Sequence, residues 1–215
     1  MKLHLVSLVA LLGCGTLPAQ ETIQAFGLKW SVPIAADWKV ESAGGVETLR
    51  LLVPRPSTAP RRPAQFAVAQ TPDYLRVTVE AEMKQEPAAA RNRHTSLMIA
   101  YAWRDADHFN YAHLSVDAAK DQPVHNGIFH VFGGDRVRIS SNEGPATLAT
   151  EEWHKVRLVQ DGKTGKVQVW VDGKTSPSMQ AVESKLGAGK IGIGSFFDLG
   201  EFRKVRIQGE PAPKL

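Results

Sequence analysis

The sequence predicts an all-β protein that folds as an antiparallel two-sheet β-sandwich. Apolar and polar residues alternate in short segments along most of the chain, which is the period-two pattern of half-buried strands. Glycine-containing turns separate many of these segments, and helical periodicity is scarce, with 86–94 as its best example. The only cysteine, Cys14, lies near the start of the chain, so the fold must depend on a sizeable apolar core rather than on disulfides.

The first twenty residues are predicted to be a secretory leader rather than part of the fold. Lys2 precedes an apolar run from Leu5 to Leu12, and small residues follow up to Ala19, near the expected cleavage point. The run is shorter than the ~20 apolar residues of a membrane-spanning helix, and no later segment qualifies. A second interpretation stays open, because residues 11–14 resemble a bacterial lipobox that would place a lipid anchor on Cys14.

Residues 21–211 are predicted to form one domain, followed by a short tail at 212–215. Its first strands are expected at 27–32, 36–41 and 48–53. The segment 54–64 has four prolines in eleven residues, and proline donates no ladder hydrogen bond, so this segment is predicted to be an exposed loop.

Further strands are predicted at 75–83, in the hairpin 153–174, and at 190–197 and 201–209. Aspartate–glycine and threonine–glycine pairs supply the turn positions between them. Alternation predicts that one face of these strands packs into the core through Val77, Val79, Ala81, Met83, Val156, Leu158, Val167, Val169 and Val171. Trp170 alternates with the last two valines and is therefore predicted to face a groove or solvent.

Residues 70–209 resemble a known family. The segment EEWHKVRLVQDGKTGKVQVWVDGK, with Trp153-His154 at a strand start and Val171-Asp172-Gly173 at a strand end, resembles the laminin-G-like jelly rolls of the concanavalin A-like lectin and glucanase superfamily. The hairpin MIAYAWRDADHFNYAHLSV is similar to one in bacterial secreted domains of the 3-keto-disaccharide hydrolase type. The resemblance implies a concanavalin A-like jelly roll that binds or cleaves glycans. The predicted leader adds a location outside the cytoplasm, whether secreted, periplasmic or attached to the bacterial envelope as an outer-leaflet lipoprotein.

The predicted function is carbohydrate recognition by a secreted domain, without catalysis, and two alternatives stay open. The first alternative is glycoside hydrolysis of (3-keto-)disaccharides or glucans, and the second is protein adhesion, as in some laminin-G-like domains. One fold hosts many functions, so the resemblance alone does not choose among them.

Glu80 and Glu82 are the catalytic candidates. Glucanases of the superfamily carry three acids that alternate along one strand, whereas this chain offers two, with Lys84 at the third position. Carboxylates at i and i+2 of a strand lie about 7 Å apart between Cα atoms, a separation that glycosidases use. The alternative interpretation is a solvated polar strand face beside Arg76 and Lys84.

The aromatic stretch YAWRDADHFNYAHLSV, residues 101–116, supplies the ligand-binding candidates. A hairpin that turns at 104–108 would pair Tyr101 with Tyr111 and Trp103 with Phe109, and sugars stack on such rings. The predicted ligand-binding residues are Tyr101, Trp103, Arg104, Asp107, Phe109, Tyr111 and His113. The alternative is that these rings form the core between the sheets.

The remaining chemistry is sparse. The histidines lack metal-ligand spacing, so no metal site is predicted, and the only cofactor alternative is calcium at the turn of Asp105 and Asp107. The net charge of +4 falls to +3 without Lys2, and the excess looks scattered along the chain. A nucleic-acid binder usually has a concentrated basic stripe, so no nucleic-acid partner is expected.

Overall fold

A computed structural model describes residues 20–56, 58–87, 95–141 and 144–213 of the protein. Most of them lie in fifteen strands, and a short 3-10 helix, Ala35–Asp37, follows the second strand. In chain order the strands are β1 Glu21–Ala25, β2 Leu28–Val32, β3 Trp38–Ala43, β4 Val46–Leu51, β5 Gln65–Ala69, β6 Tyr74–Gln85, β7 Ser96–Asp105, β8 His108–Ser115, β9 Gly127–Phe132, β10 Val137–Arg138, β11 His154–Asp161, β12 Lys166–Val171, β13 Met179–Val182, β14 Lys190–Ser195 and β15 Gly200–Pro211. The described residues contain no helix long and apolar enough to cross a membrane.

The strands form two antiparallel sheets. The eight-stranded sheet has the order β1-β2-β5-β14-β7-β8-β9-β10, and the seven-stranded sheet has the order β13-β12-β11-β6-β15-β4-β3. Strands that are distant in sequence are neighbours in each sheet, such as β14 beside β7 and β15 beside β6. The predicted two-sheet β-sandwich is therefore confirmed.

The core between the sheets is built from alternate residues of nearly every strand. β6 contributes Val77, Val79 and Met83 to this core. The eight-stranded sheet contributes residues such as Trp30 and Ile193, and all five are at most 3% exposed. All nine residues that alternation assigned to the core on β6, β11 and β12 are buried in this cluster. Period-two patterning thus identified the inner face of these strands correctly.

The predicted strands are present, and several others were missed. β1, β5, β9, β10 and β13 are short, and β5, QFAVA, and β9, GIFHVF, are apolar on both faces, so neither shows the alternation that marks a strand. The described residues of the proline-rich segment lie between β4 and β5, outside any strand. Residues 88–94 of the predicted helical stretch, the leader up to Ala19 and the lipobox with Cys14 lie outside the described residues.

The predicted pairing of the aromatic hairpin is wrong. The turn is tighter than expected, with Asp105 opposite His108, and a bulge with Ala102 at φ 48° then shifts the register. As a result Tyr101 pairs with Asn110, and Tyr111 lies opposite Ala100. A shift of one residue moves a side chain to the other face of a sheet, so the predicted aromatic face is split between the two faces.

Candidate functional site

The seven residues predicted to bind a ligand do not form one exposed platform. Tyr101 lies in the core between the sheets and is 1% exposed. Phe109, Tyr111 and His113 point to the opposite, outer face of the eight-stranded sheet, where each is at most 2% exposed. The bulge at Ala102 brings Trp103 to this outer face, where its ring stacks on Phe109 with 4.4 Å between ring centroids.

These outer rings belong to a second apolar core. We call it the outer aromatic cluster; its rings are Phe66, Trp103, Phe109, Tyr111, Phe129 and Phe196. The loop between β4 and β5 lies across it, because Arg61 accepts a backbone hydrogen bond from Arg136 and its guanidinium lies 5.9 Å from the Phe196 ring centroid. Burial raises the pKa of Tyr111 well above its ordinary value, against the opposing effect of Arg136. The cluster is covered by loops and serves packing in this conformation.

Trp103, a partly exposed ring of this cluster, borders open space. It is half-buried and lines a cavity of about 350 Å³ together with Pro60, Arg62 and Pro63 of the loop. Asp107 forms an ion pair with Arg62, and Arg104 donates a hydrogen bond to the carbonyl of Leu186, on the far side of the turn. The structure therefore leaves Trp103 and Asp107 beside one cavity and directs Arg104 elsewhere.

The aspartates of the turn are engaged within the protein. The Asp105 carboxylate accepts a hydrogen bond from the Asp107 backbone N–H at 2.7 Å and contacts His108 Nδ1 at 2.8 Å. Burial would raise the pKa of Asp105, but these bonds outweigh it and lower the pKa. Across the part of the chain that the structure describes, no group of three or more histidine, cysteine or acidic side chains is placed to hold a metal ion.

A large open depression lies on the other sheet. We call it the sheet groove: a space of about 730 Å³ on the outer face of the seven-stranded sheet, over β15, β6, β11 and β12. This volume is within the range of small-ligand sites. Its side chains with polar or aromatic groups are Glu80, Glu82, Lys155, Arg157, Trp170, Lys174, Thr175, Lys204 and Arg206. The two predicted catalytic residues therefore lie in the sheet groove, side by side on β6.

Cross-strand register explains how these side chains come together. Glu80 lies opposite Arg157 of β11 on one side and Arg206 of β15 on the other. Arg157 in turn lies opposite Trp170 of β12, with its guanidinium 5.2 Å from the indole centroid. Directly opposed residues on one face of a sheet have side chains close enough to interact, so the groove is a row of cross-strand neighbours.

A bulge in β15 adds cations to this row. Regular alternation would direct Arg203 and Lys204 to opposite faces. Lys204 has φ 51°, and the register against β6 shifts between Arg203 and Arg206, so all three side chains reach the outer face. Val205 is buried on the inner side. The bulge therefore allows the sequence Phe-Arg-Lys-Val-Arg, which does not alternate strictly, to keep its two apolar residues on the inner face and its three cations on the outer face.

Glu80 and Glu82 have different surroundings. The Glu82 carboxylate accepts a hydrogen bond from Arg203 Nε at 2.6 Å and another from Lys204 Nζ at 2.9 Å, and it is 8% exposed. Burial alone would raise the pKa of Glu82, but the two cations outweigh it and lower the pKa. A carboxyl held in its charged form is a poor proton donor near neutral pH, so Glu82 does not suit the general acid of a glycosidase. Glu80 is exposed and has no ion-pair partner among the described residues.

Two tryptophans provide flat surfaces on this face. Trp170 is half-buried and faces outward, as its alternation with Val169 and Val171 predicted, and it lines the sheet groove. Trp153 precedes β11 and lies under Arg203, whose guanidinium is 3.9 Å from the ring centroid, with Lys84 Nζ 5.1 Å away on the same ring. The sheet groove thus combines an aromatic ring with many charged donors and two carboxylates.

The fold is similar to those of two solved bacterial proteins. The carbohydrate-binding module CBM66 from Bacillus subtilis matches with a TM-score of 0.57 and 12% identity, over 84% of this chain and 95% of that chain. A Bacillus subtilis protein of unknown function with a galectin-like fold matches with a TM-score of 0.51 and 12% identity, over 82% of this chain and 88% of that chain. No protein-family model and no curated protein sequence matches the chain. The structural likenesses agree with the predicted jelly-roll fold of two antiparallel sheets.

Proposed function

We propose that the protein is a carbohydrate-binding jelly roll that holds a glycan in the sheet groove. The observation that carries the proposal is Trp170, a half-buried ring that lines an open groove of about 730 Å³ among charged side chains. An indole ring offers an apolar face for the C–H side of a sugar, and the surrounding side chains can form hydrogen bonds with its hydroxyls. Glu80 and Thr175 accept such bonds, and Arg157 and Lys174 donate them.

The fold supports this proposal in a limited sense. CBM66, a carbohydrate-binding module by name, shares the architecture over 95% of its own length. At 12% identity this likeness concerns the scaffold, so the proposed site depends on the residues of this chain.

The proposal is tested by calorimetric titration of the purified protein with a panel of neutral and acidic oligosaccharides, 3-keto forms included. Trp170→Ala is expected to weaken binding of any glycan that binds by about 30-fold, since a central aromatic anchor is worth about 2 kcal/mol or more. Trp103→Ala is the matched control, because this tryptophan is half-buried on the other sheet, and it should leave the affinity unchanged. If Trp103→Ala abolishes binding instead, the site is the cavity beside the aromatic hairpin. If no glycan of the panel binds, the proposed function is wrong.

Glycoside hydrolysis is the second candidate function, and the location of Glu80 and Glu82 in the sheet groove favours it. The exposed Glu80 would have to be the proton donor, because Glu82 is held ionised by Arg203 and Lys204. Hydrolysis would release new reducing ends during the titration, and Glu80→Gln would stop their release without abolishing binding. Binding without new reducing ends would leave recognition as the function.

We also propose that the protein acts outside the cytoplasm, as the leader-like residues 1–20 predict from their sequence. Mass spectrometry of the N-terminus after expression in a bacterium tests this. A mature chain that begins near Gln20 indicates an ordinary leader, and a lipidated Cys14 at the N-terminus indicates the envelope anchor. An uncleaved Met1 would contradict both forms of the proposal. Protein adhesion, the third function that the sequence left open, gains no specific support from the groove.

A further inference from the structure

The sheet groove concentrates positive charge. Five cationic side chains and two carboxylates line it, an excess of three positive charges, whereas the whole chain carries a net charge of +4. The cations come from β11, β15 and the turn after β12, which are far apart in the sequence. Positive charge that is scattered along the sequence is thus gathered in the fold, because the sheet brings cations from three separate segments onto one surface.

Most of these cations have no partner of opposite charge among the described residues. Lys204 is paired with Glu82, as is Arg203 beside the groove. Within the part of the chain that the structure describes, no carboxylate lies within 4.0 Å of the cationic nitrogens of Lys155, Arg157, Lys174 or Arg206. All four residues are exposed. Like charges gathered on one surface repel each other, and an anionic ligand would remove this repulsion.

We infer that the glycan bound in the sheet groove is anionic, a chain of sugars that bear carboxylate or sulfate groups; this inference rests on the proposed function. Arg157 is the central contact, because its guanidinium lies over Trp170 and also faces the groove. A guanidinium matches a carboxylate or sulfate with two parallel hydrogen bonds, while the indole ring packs against the sugar ring. Lys155, Lys174 and Arg206 surround this contact with further positive charge.

The exposed carboxylate of Glu80 favours a glycan with free hydroxyls over the phosphate backbone of DNA. Glu80 lies between Arg157 and Arg206 in the cross-strand row, and it accepts hydrogen bonds but donates none. The free hydroxyls of a sugar chain can donate to it, whereas the phosphate backbone of DNA offers no donor and would be repelled. Alternating cations and carboxylates thus match a ligand that carries both acid groups and hydroxyls.

The experiment compares two probes that differ only in one group of each sugar, a carboxylate in the first and a neutral hydroxymethyl group in the second. Oligogalacturonides of about six residues and the same oligomers after reduction of their carboxyl groups are titrated into the purified protein by calorimetry. We expect the acidic probe to bind at least about tenfold more tightly, which is the lower range for hydrogen bonds to a charged group. The affinity of the acidic probe alone should fall as NaCl rises from about 50 to about 500 mM, because salt screens exposed charges.

Substitution of single cations tests whether the acidic probe binds in the sheet groove. Arg206→Gln and Lys174→Gln should each weaken the acidic probe by about threefold or more and leave the reduced probe unchanged. Lys29→Gln, an exposed lysine on β2 of the other sheet, is the matched control and should affect neither probe. Circular dichroism of each variant checks that its fold is retained.

The outcomes separate the inference from the proposed function. Equal affinity for both probes, lost in Trp170→Ala, would refute the preference for anions and leave glycan binding in place. If neither the two probes nor any glycan of the wider panel binds, both the preference for anions and the proposed glycan binding are wrong. A single-stranded oligonucleotide of equal charge that binds more tightly than the oligogalacturonide would show that the groove is a general polyanion or nucleic-acid site and would overturn the inference.

Discussion

Truncation of Phe109 tests whether the aromatic stretch at 101–116 serves packing. Phe109 is 0% exposed, and its ring lies 4.4 Å from Trp103, 5.6 Å from Phe66 and 6.0 Å from Tyr111, as measured between centroids. Removal of a fully buried phenylalanine side chain costs about 3–5 kcal/mol, of which each lost ring pair accounts for about 0.5–1.5 kcal/mol. Because loops rather than a sheet cover this cluster and can settle into the gap, we expect Phe109→Ala to cost about 3 kcal/mol.

The assay is urea unfolding at 25 °C followed by tryptophan fluorescence. With a denaturant slope of about 2 kcal/mol per molar urea, the expected loss lowers the unfolding midpoint by about 1.5 M. Phe132→Ala is the control, because Phe132 is 47% exposed and its truncation should cost less than about 1 kcal/mol. If Phe109→Ala behaves like the control and instead weakens glycan binding, the structural interpretation of the aromatic stretch is refuted and the ligand platform is restored.

Two further predictions concern stability. Gly194→Ala should destabilise the protein by about 3 kcal/mol or more, because a Cβ there would overlap the Gln65 carbonyl oxygen. In the control Gly192→Ala, on the same strand, the added Cβ meets its neighbours at 3.4 Å or more, so the melting temperature should change little. Equal melting temperatures of the two variants would contradict this prediction. Burial, and then the neighbouring His125, lowers the pKa of His113 well below its ordinary value, so the unfolded chain takes up a proton below about pH 6.5 that the folded chain does not. The free energy of unfolding should therefore keep its full contribution from His113 above about pH 6.5 and fall by up to about 1.4 kcal/mol per pH unit below it. His113→Phe should show a shallower fall in urea titrations between about pH 6.5 and 5.

The regular parts of the fold could be predicted from the sequence because one physical rule governs them. On β6, β11 and β12 one face meets the core and the other meets water, so alternation fixes which residues are buried. The prediction failed where both faces of a strand are buried. On β8 every residue after His108 is buried, since the inner face packs between the sheets and the outer face packs under loops. Alternation carries no information about such a strand.

Bulges are the second reason why the site was predicted only in part. At Ala102 and at Lys204 a residue that is not glycine adopts a positive φ, and no local sequence signal marks either position. The first bulge separates Tyr101 from Trp103, and the second gathers Arg203 and Lys204 on one face with Arg206. Each shifts a side chain across the sheet, so an alternation-based assignment fails after the bulge even when the strand itself is correct.

One outer face of the sandwich is covered by a loop, and the other is open to solvent. The residue types on each face explain this difference. The outer face of the eight-stranded sheet carries rings such as Phe109 and Phe129, which must leave water, and the loop between β4 and β5 covers them. The outer face of the seven-stranded sheet carries charged residues, which remain stable in water and need no cover. An uncovered sheet face is accessible to a long polymer without any rearrangement of loops. Burial thus separates the two roles. The aromatic-rich hairpin completes the fold, whereas the half-exposed ring of Trp170 lies beside Arg157, which has no carboxylate partner among the described residues, and is left to contact a ligand.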